Sequence, residues 1–295
     1  MRSGVLLLAV LLFLPDSGAA QGVTLNARIG ETAVALGGDS ADGRLWKSID
    51  WESARPGLEW TEIDLTAGAL GIAMRVVAVR IDPRLYRFHL EWSTGPNGMT
   101  GQWTVDGAPR DAALALNAGQ FKETGPWGWV VLDGEETRDP GIGPLSVGIA
   151  VTDSGTVRWI PAVGLRAARG DPHIAWAFQT YPLLLSDGRV PALARDGALV
   201  DQDHRDARLL LGERPDGSLL IVLSRFDGLG SAAERVPIGL TVPESIVLME
   251  ALGARNAAML DGGISAQMLL RGSGGRVEMW KGLRAVPLAL IAVPR

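Results

Sequence analysis

The sequence predicts a strand-rich fold with few long helices, in which short apolar strands end at polar side chains. Three observations carry this. The 295 residues include 38 glycines and 17 prolines, a composition of turns and short strands rather than long helices. Asp-Gly pairs at Asp133-Gly134, Asp187-Gly188 and Asp216-Gly217 sit beside apolar runs, a hairpin signature. A helix-then-strand unit, Thr241 to Asp261, delivers a carboxylate followed at once by Gly262 and Gly263.

Composition excludes several classes. Hydrophobic residues at 47% and charged residues at 21% are a globular balance. A net charge of −5 offers no basic excess for a nucleic-acid partner. Cysteine is absent, so disulfides, thiolate nucleophiles and Cys-based metal sites are impossible. The three histidines, His89, His173 and His204, show no ligand spacing, which argues against a histidine-rich zinc site. Ten tryptophans are mostly core candidates, although their planar faces also suit sugar rings.

Residues 1–20 read as a cleaved secretory signal, with Arg2, an uncharged apolar run from Val5 to Leu14, and Gly18-Ala19-Ala20 before Gln21. The mature protein is expected to be periplasmic or secreted. No later apolar segment is long enough to span a membrane. Residues 21–56 read as an N-terminal extension and residues 57–295 as the main domain.

Within that domain Trp60 to Leu65 alternates like a strand, Arg75 to Ile81 is strongly β-branched, and Tyr86 to Leu90 alternates again. Ala112 to Leu116 is an apolar run that ends at Asn117, with Ala118 and Gly119 behind it. Val147 to Val151 and Val157 to Ile160 flank the turn Asp153-Ser154-Gly155. Apolar residues surround Gln179 and Thr180, and Pro182 signals a bend or an edge. Arg208 stands at the mouth of the run Leu209-Leu210-Leu211, where its planar fork suits phosphate. Asp227 to Val236, rich in Gly and Ala, reads as a mobile loop.

Thr241-Val242-Pro243-Glu244 is a capping box with proline in the first turn. Val242, Ile246, Met249 and Leu252 form an apolar helical face, and Gly253 stops the helix. Ala254 to Leu260 is the strand that ends at Asp261. Ala266 to Leu270 and Val286 to Val293 complete the pattern.

Four segments together resemble the phosphodiester glycosidase family. They are Leu116 to Phe121; Gln179 to Leu184 with Asp187-Gly188; Arg208 to Gly212 with Asp216-Gly217; and Gly239 to Glu244 followed by Leu252-Gly253-Ala254 and Leu260 to Ser265. The last is the most specific. The resemblance runs from about Gly57 to the C-terminus and departs from the family at Ile264, Leu209 and Gln120. It implies an α/β (α+β) fold with a mixed, largely antiparallel sheet flanked by helices and an active cleft at the strand ends. It also implies hydrolysis of a sugar-1-phosphodiester, an N-acetylglucosamine-like sugar included, in extracytoplasmic or exopolysaccharide-related glycans.

Such chemistry needs a carboxylate for the positive charge that builds on the sugar ring and a donor for the departing phosphate. Asp261 is assigned the first role and Arg208 the second. Glu244 is the second candidate carboxylate; it either works with Asp261 or only caps its helix. Gly262 and Gly263 offer backbone N–H groups, and Asn117 and Ser265 offer groups to orient the sugar. Gly119 and Thr180, within the matching segments, complete the substrate-binding set. Oxygen ligands are available for a divalent cation, but no ligand motif is present. The alternative function is a non-catalytic saccharide-binding or exopolysaccharide accessory protein. The sequence sets no oligomeric state.

Overall fold

The computed structural model describes residues 23, 25–30, 32–37, 44–68, 70–93, 101–227 and 236–295. The expected signal segment, 1–20, and residues 228–235 of the expected loop lie outside the described residues.

The alternating segments build three sheets. The largest runs in the order Leu183–Leu185, Asn256–Met259, Leu209–Glu213, Leu219–Phe226, Ile72–Ile81, Leu58–Ala67, Leu25–Ile29 and Thr32–Leu36, with Glu52–Arg55 also pairing to Leu58–Ala67. Segments from residues 21–56 therefore join this sheet at one end. The second sheet runs Glu135–Arg138, Val130–Leu132, Ile174–Thr180, Val147–Thr152, Val157–Pro161. The third runs Val277–Trp280, Met268–Arg271, Leu114–Asn117, Leu288–Pro294, Tyr86–Trp92. A short ribbon, Gln120–Lys122 against Gly125–Trp127, stands apart from all three.

Turn chemistry sets this architecture. Asp133 and Asp187 adopt φ of 51° and 49° ahead of their glycines, the backbone that tight hairpins require. Antiparallel neighbours joined this way need no crossover helix. The expectation of a largely antiparallel sheet holds, and that of flanking helices is corrected: the strand pairings among the described residues are antiparallel, in three sheets, and Val242–Ala251 is the longest helix among the described residues. Arg44–Ser48 and Leu165–Ala168 are single turns.

Period-two alternation gives the large sheet two buried faces. Leu209, Leu211, Ile221, Val77 and Val79 point into a core shared with the inner faces of the other two sheets, including Leu116, Phe178, Met268 and Leu290. Leu210, Val222, Val76 and Ala78 point the other way, against Ile246, Val247 and Met249 of the long helix. That helix is buried nearly all round, Leu248 and Ser245 included, rather than along a single stripe. It starts as expected: Thr241 Oγ1 accepts from the Glu244 N–H, and Glu244 Oε2 accepts from the Thr241 N–H at 2.9 Å. Such a cap is worth about 1 kcal/mol.

The chain leaves the second sheet at Thr180, crosses a cis Tyr181–Pro182 bond, and enters the large sheet at Leu183. The bend expected at Pro182 is thus a change of sheet.

Candidate active site

The site forms where strand ends from the three sheets converge. The chain leaves the strand Asn256–Met259 and reaches Asp261 two residues later. The Asp261 N–H donates to the Gly119 carbonyl at 3.0 Å, and the Asp261 carbonyl accepts from Asn117 Nδ2 at 2.8 Å. Asn117 Oδ1 in turn accepts from the Gln267 N–H at 3.0 Å. One buried amide therefore straps both sides of the Asp261 turn, and the third sheet fixes where the carboxylate stands.

The two glycines are sterically required. A Cβ on Gly262 would lie 2.5 Å from the Ala207 carbonyl oxygen. Gly263 has φ of +58°, and a Cβ there would lie 2.7 Å from Asp206 Oδ2. The Gly263 N–H donates to the Ala207 carbonyl at 2.7 Å. The turn is thus pressed against the segment Asp206-Ala207-Arg208, which starts the neighbouring strand.

Burial pushes the Asp261 carboxyl up to about 6; a hydrogen bond from Ser265 and the charge of Arg284 pull against this, and Asp206 adds to it. Burial also raises Asp206, against the pull of Arg208 and His204. Tyr181 is raised first by burial and then by Asp261, with Arg208 opposing. Burial lowers Arg208, with Asp206 the largest opposing charge, followed by Asp201, Glu244 and Tyr181. Asp261, Asp206, Tyr181 and Arg208 therefore form one electrostatic unit.

The expected residues separate into two groups. Asp261, Ser265, Gly262, Gly263 and Arg208 surround this unit, with Gly119 and Asn117 as its straps. Arg208 makes no pair with Asp261; its Nε donates to the Leu240 carbonyl at 2.8 Å and its Nη2 to the His204 carbonyl at 2.5 Å. Its Nη1 makes no hydrogen bond among the described residues. Thr180 is spent elsewhere, because its hydroxyl donates to the Met259 carbonyl at 2.6 Å and ties the second sheet to the Asp261 strand. Glu244 is spent as well: besides the cap, it takes Arg205 Nη1 on Oε2 at 2.7 Å and Arg205 Nη2 on Oε1 at 2.5 Å. Among the carboxylates, Asp206 rather than Glu244 adds to the upward shift of Asp261.

Asp206, Tyr181 and Arg284 escaped the sequence reading. Tyr181 carried a signal, since it sits inside the matching Gln179 to Leu184 segment. Asp206 carried a weaker one, two residues before Arg208. Arg284, 4.7 Å from the centroid of Phe121, follows a turn with no pattern to mark it. Among the described residues, no group of three or more His, Asp or Glu side chains is arranged to hold a metal ion.

Antiparallel sheets thus meet at a buried carboxylate with an arginine nearby, and the comparisons give the family. The model of the phosphodiester glycosidase family matches residues 110–293, and the chain belongs to that family. The catalytic domain of zebrafish N-acetylglucosamine-1-phosphodiester alpha-N-acetylglucosaminidase, auto-inhibited by its pro-peptide, superposes with a TM-score of 0.61 at 18% identity, covering 84% of this chain and 89% of that one. A hypothetical protein from Synechocystis gives 0.58 at 18% identity, over 89% of this chain and 65% of the other. A Burkholderia pseudomallei protein provisionally described as exported gives 0.54 at 16%, over 76% and 75%. These likenesses establish the fold. No curated protein matches the chain at a significant level.

Proposed function

We propose that the protein is an extracytoplasmic hydrolase that cleaves the glycosidic bond of a sugar-1-phosphodiester in a glycan, with an N-acetylglucosamine-like sugar as donor. The observation that carries this reading is the buried Asp261 carboxyl, with a pKa of about 6, strapped at a strand end beside Ser265 and within reach of the charges of Arg284 and Asp206. At neutral pH it is mostly ionised, the state needed to stabilise or attack the sugar's anomeric carbon, or to activate water there. A phosphodiester is a good leaving group, so its departure needs positive charge more than a strong general acid. Arg208, held by two carbonyls with Nη1 left over, is suited to that task. The substrate in the name of the zebrafish enzyme, an N-acetylglucosamine-1-phosphodiester, supports the choice of sugar.

Incubation of the mature protein with an N-acetylglucosamine-1-phosphodiester should release free sugar. Release of sugar phosphate instead would mean P–O cleavage. Saccharide binding without turnover would favour an accessory protein. Assay after EDTA dialysis and add-back of divalent metal tests the cation.

A further inference from the structure

A groove of about 550 Å³ opens beside the ribbon Gln120–Trp127 and is lined by Trp92, Lys122, Trp127, Glu136, Arg138 and Asp139, among others. Its two acids are already committed. Arg169 donates to both the Glu136 and Asp139 carboxylates, and Trp129 Nε1 donates to Glu136 at 2.9 Å. Its two cations have no carboxylate partner among the described residues. Lys122 Nζ sits 3.9 Å from the centroid of Trp127, and the Arg138 guanidinium lies 5.5 Å over Trp92 while donating to the Thr124 carbonyl. The groove thus presents two indoles and two cations without a direct carboxylate partner, and with Arg169 set against the two acids its net charge is positive.

It also adjoins the Asp261 site through one ring contact. Trp127 meets Tyr181 edge-on with ring centroids 5.6 Å apart, and Tyr181 feels both Asp261 and Arg208. The ribbon begins directly after Gly119, whose carbonyl holds the Asp261 N–H. A chain leaving the site past Tyr181 therefore meets Trp127 and Lys122 first.

We propose that this groove binds an anionic polysaccharide, the portion of the substrate beyond the scissile sugar phosphate, with its acidic groups at Lys122 and Arg138 and its sugar rings against the Trp92 and Trp127 indoles. Its place in the reaction rests on the function proposed above; the binding itself does not. Aromatic surfaces accept the apolar faces of sugar rings, and paired cations favour a polymer with regularly spaced charge.

The test is calorimetric titration of the mature Asp261→Asn protein with oligogalacturonate, and with a neutral cello-oligosaccharide of equal length, at low and high salt. The acidic oligomer should bind, weaken with salt, and bind at least roughly tenfold more tightly than the neutral one. Adding Lys122→Glu and Arg138→Glu should cost roughly tenfold or more in affinity for the acidic oligomer. The same two substitutions in the otherwise unaltered protein should leave release from a short N-acetylglucosamine-1-phosphodiester unchanged, which also shows that the variant folds. No binding of oligogalacturonate, equal binding of the neutral oligomer, or undiminished binding by the double substitution would overturn the proposal. Failure of the reaction itself reads differently: the short diester is not cleaved, yet the acidic oligomer still binds.

Discussion

Replacing Asp261 with Asn should abolish sugar release and, at alkaline pH, stabilise the fold. Burial lifts the Asp261 carboxyl from the usual 3.8 to about 6. The folded state therefore holds the proton more tightly than the unfolded chain, and ionising this group works against folding. A shift of that size corresponds to about 3 kcal/mol, an upper bound because the amide must also be buried. Protonated Asp261 contributes its full stability below the unfolded value of 3.8 and loses it as the pH rises through about 6. The advantage of the amide is thus fully present above pH 6 and shrinks towards zero near pH 4. Urea unfolding of both proteins at about pH 8, 6 and 4.5 measures the gap. An Asn variant no more stable than the parent at alkaline pH, or one whose advantage is the same at every pH, would refute the reasoning.

Glu244→Ala removes a cap acceptor and both contacts to Arg205, and should cost about 3 kcal/mol in denaturant unfolding. Glu244→Gln should lose about half of that and keep full turnover per folded molecule; a stable Gln variant without turnover would give Glu244 a chemical role. Gly263→Ala drives a Cβ to within 2.7 Å of Asp206 Oδ2 at a positive φ, so its thermal midpoint should fall by several degrees, and an unchanged midpoint counts against the turn geometry. Arg208→Gln should lower kcat/KM on the phosphodiester about hundredfold, and parity with the parent would remove Arg208 from phosphate binding. The parent's kcat/KM should climb as pH rises through about 6, following Asp261; a flat profile there contradicts an ionised role.

Much of the fold was legible because its signals are local. Asp133-Gly134, Asp187-Gly188 and Asp216-Gly217 announce hairpins by turn chemistry alone, and the box from Thr241 to Glu244 announces its helix. The sheet assignments were not legible. Leu183–Leu185 lies far along the chain from its partner Asn256–Met259, and nothing near either strand encodes the pairing. Burial of the helix on all sides was hidden as well, because Ser245 and Glu244 look like surface residues until Thr241 and Arg205 satisfy them. At the site, Asp261, Arg208 and the two glycines announced themselves by standing where apolar runs end. Asn117 stands out for the same reason, and its amide holds the Asp261 turn. Asp206 was missed because its effect on Asp261 comes from the approach of two strand ends, which a linear pattern does not display.

The Asp261 turn hangs on the Gly119 and Asn117 straps, the Ala207 carbonyl and, through Met259, the Thr180 hydroxyl. These anchors are scattered over nearly half the chain and belong to different sheets. Local secondary structure can form without any of them, but the geometry around Asp261 cannot. On refolding from denaturant, turnover should therefore return last, after the far-ultraviolet signal has recovered, because every long loop must close before the carboxylate is in place. The same arrangement ties the ribbon at Gln120–Trp127 to the knot without any shared sheet, through Gln120 Nε2 on the Tyr181 carbonyl, Trp127 against the Tyr181 ring and Phe121 under Arg284, so a change at these ribbon residues is felt at the carboxylate.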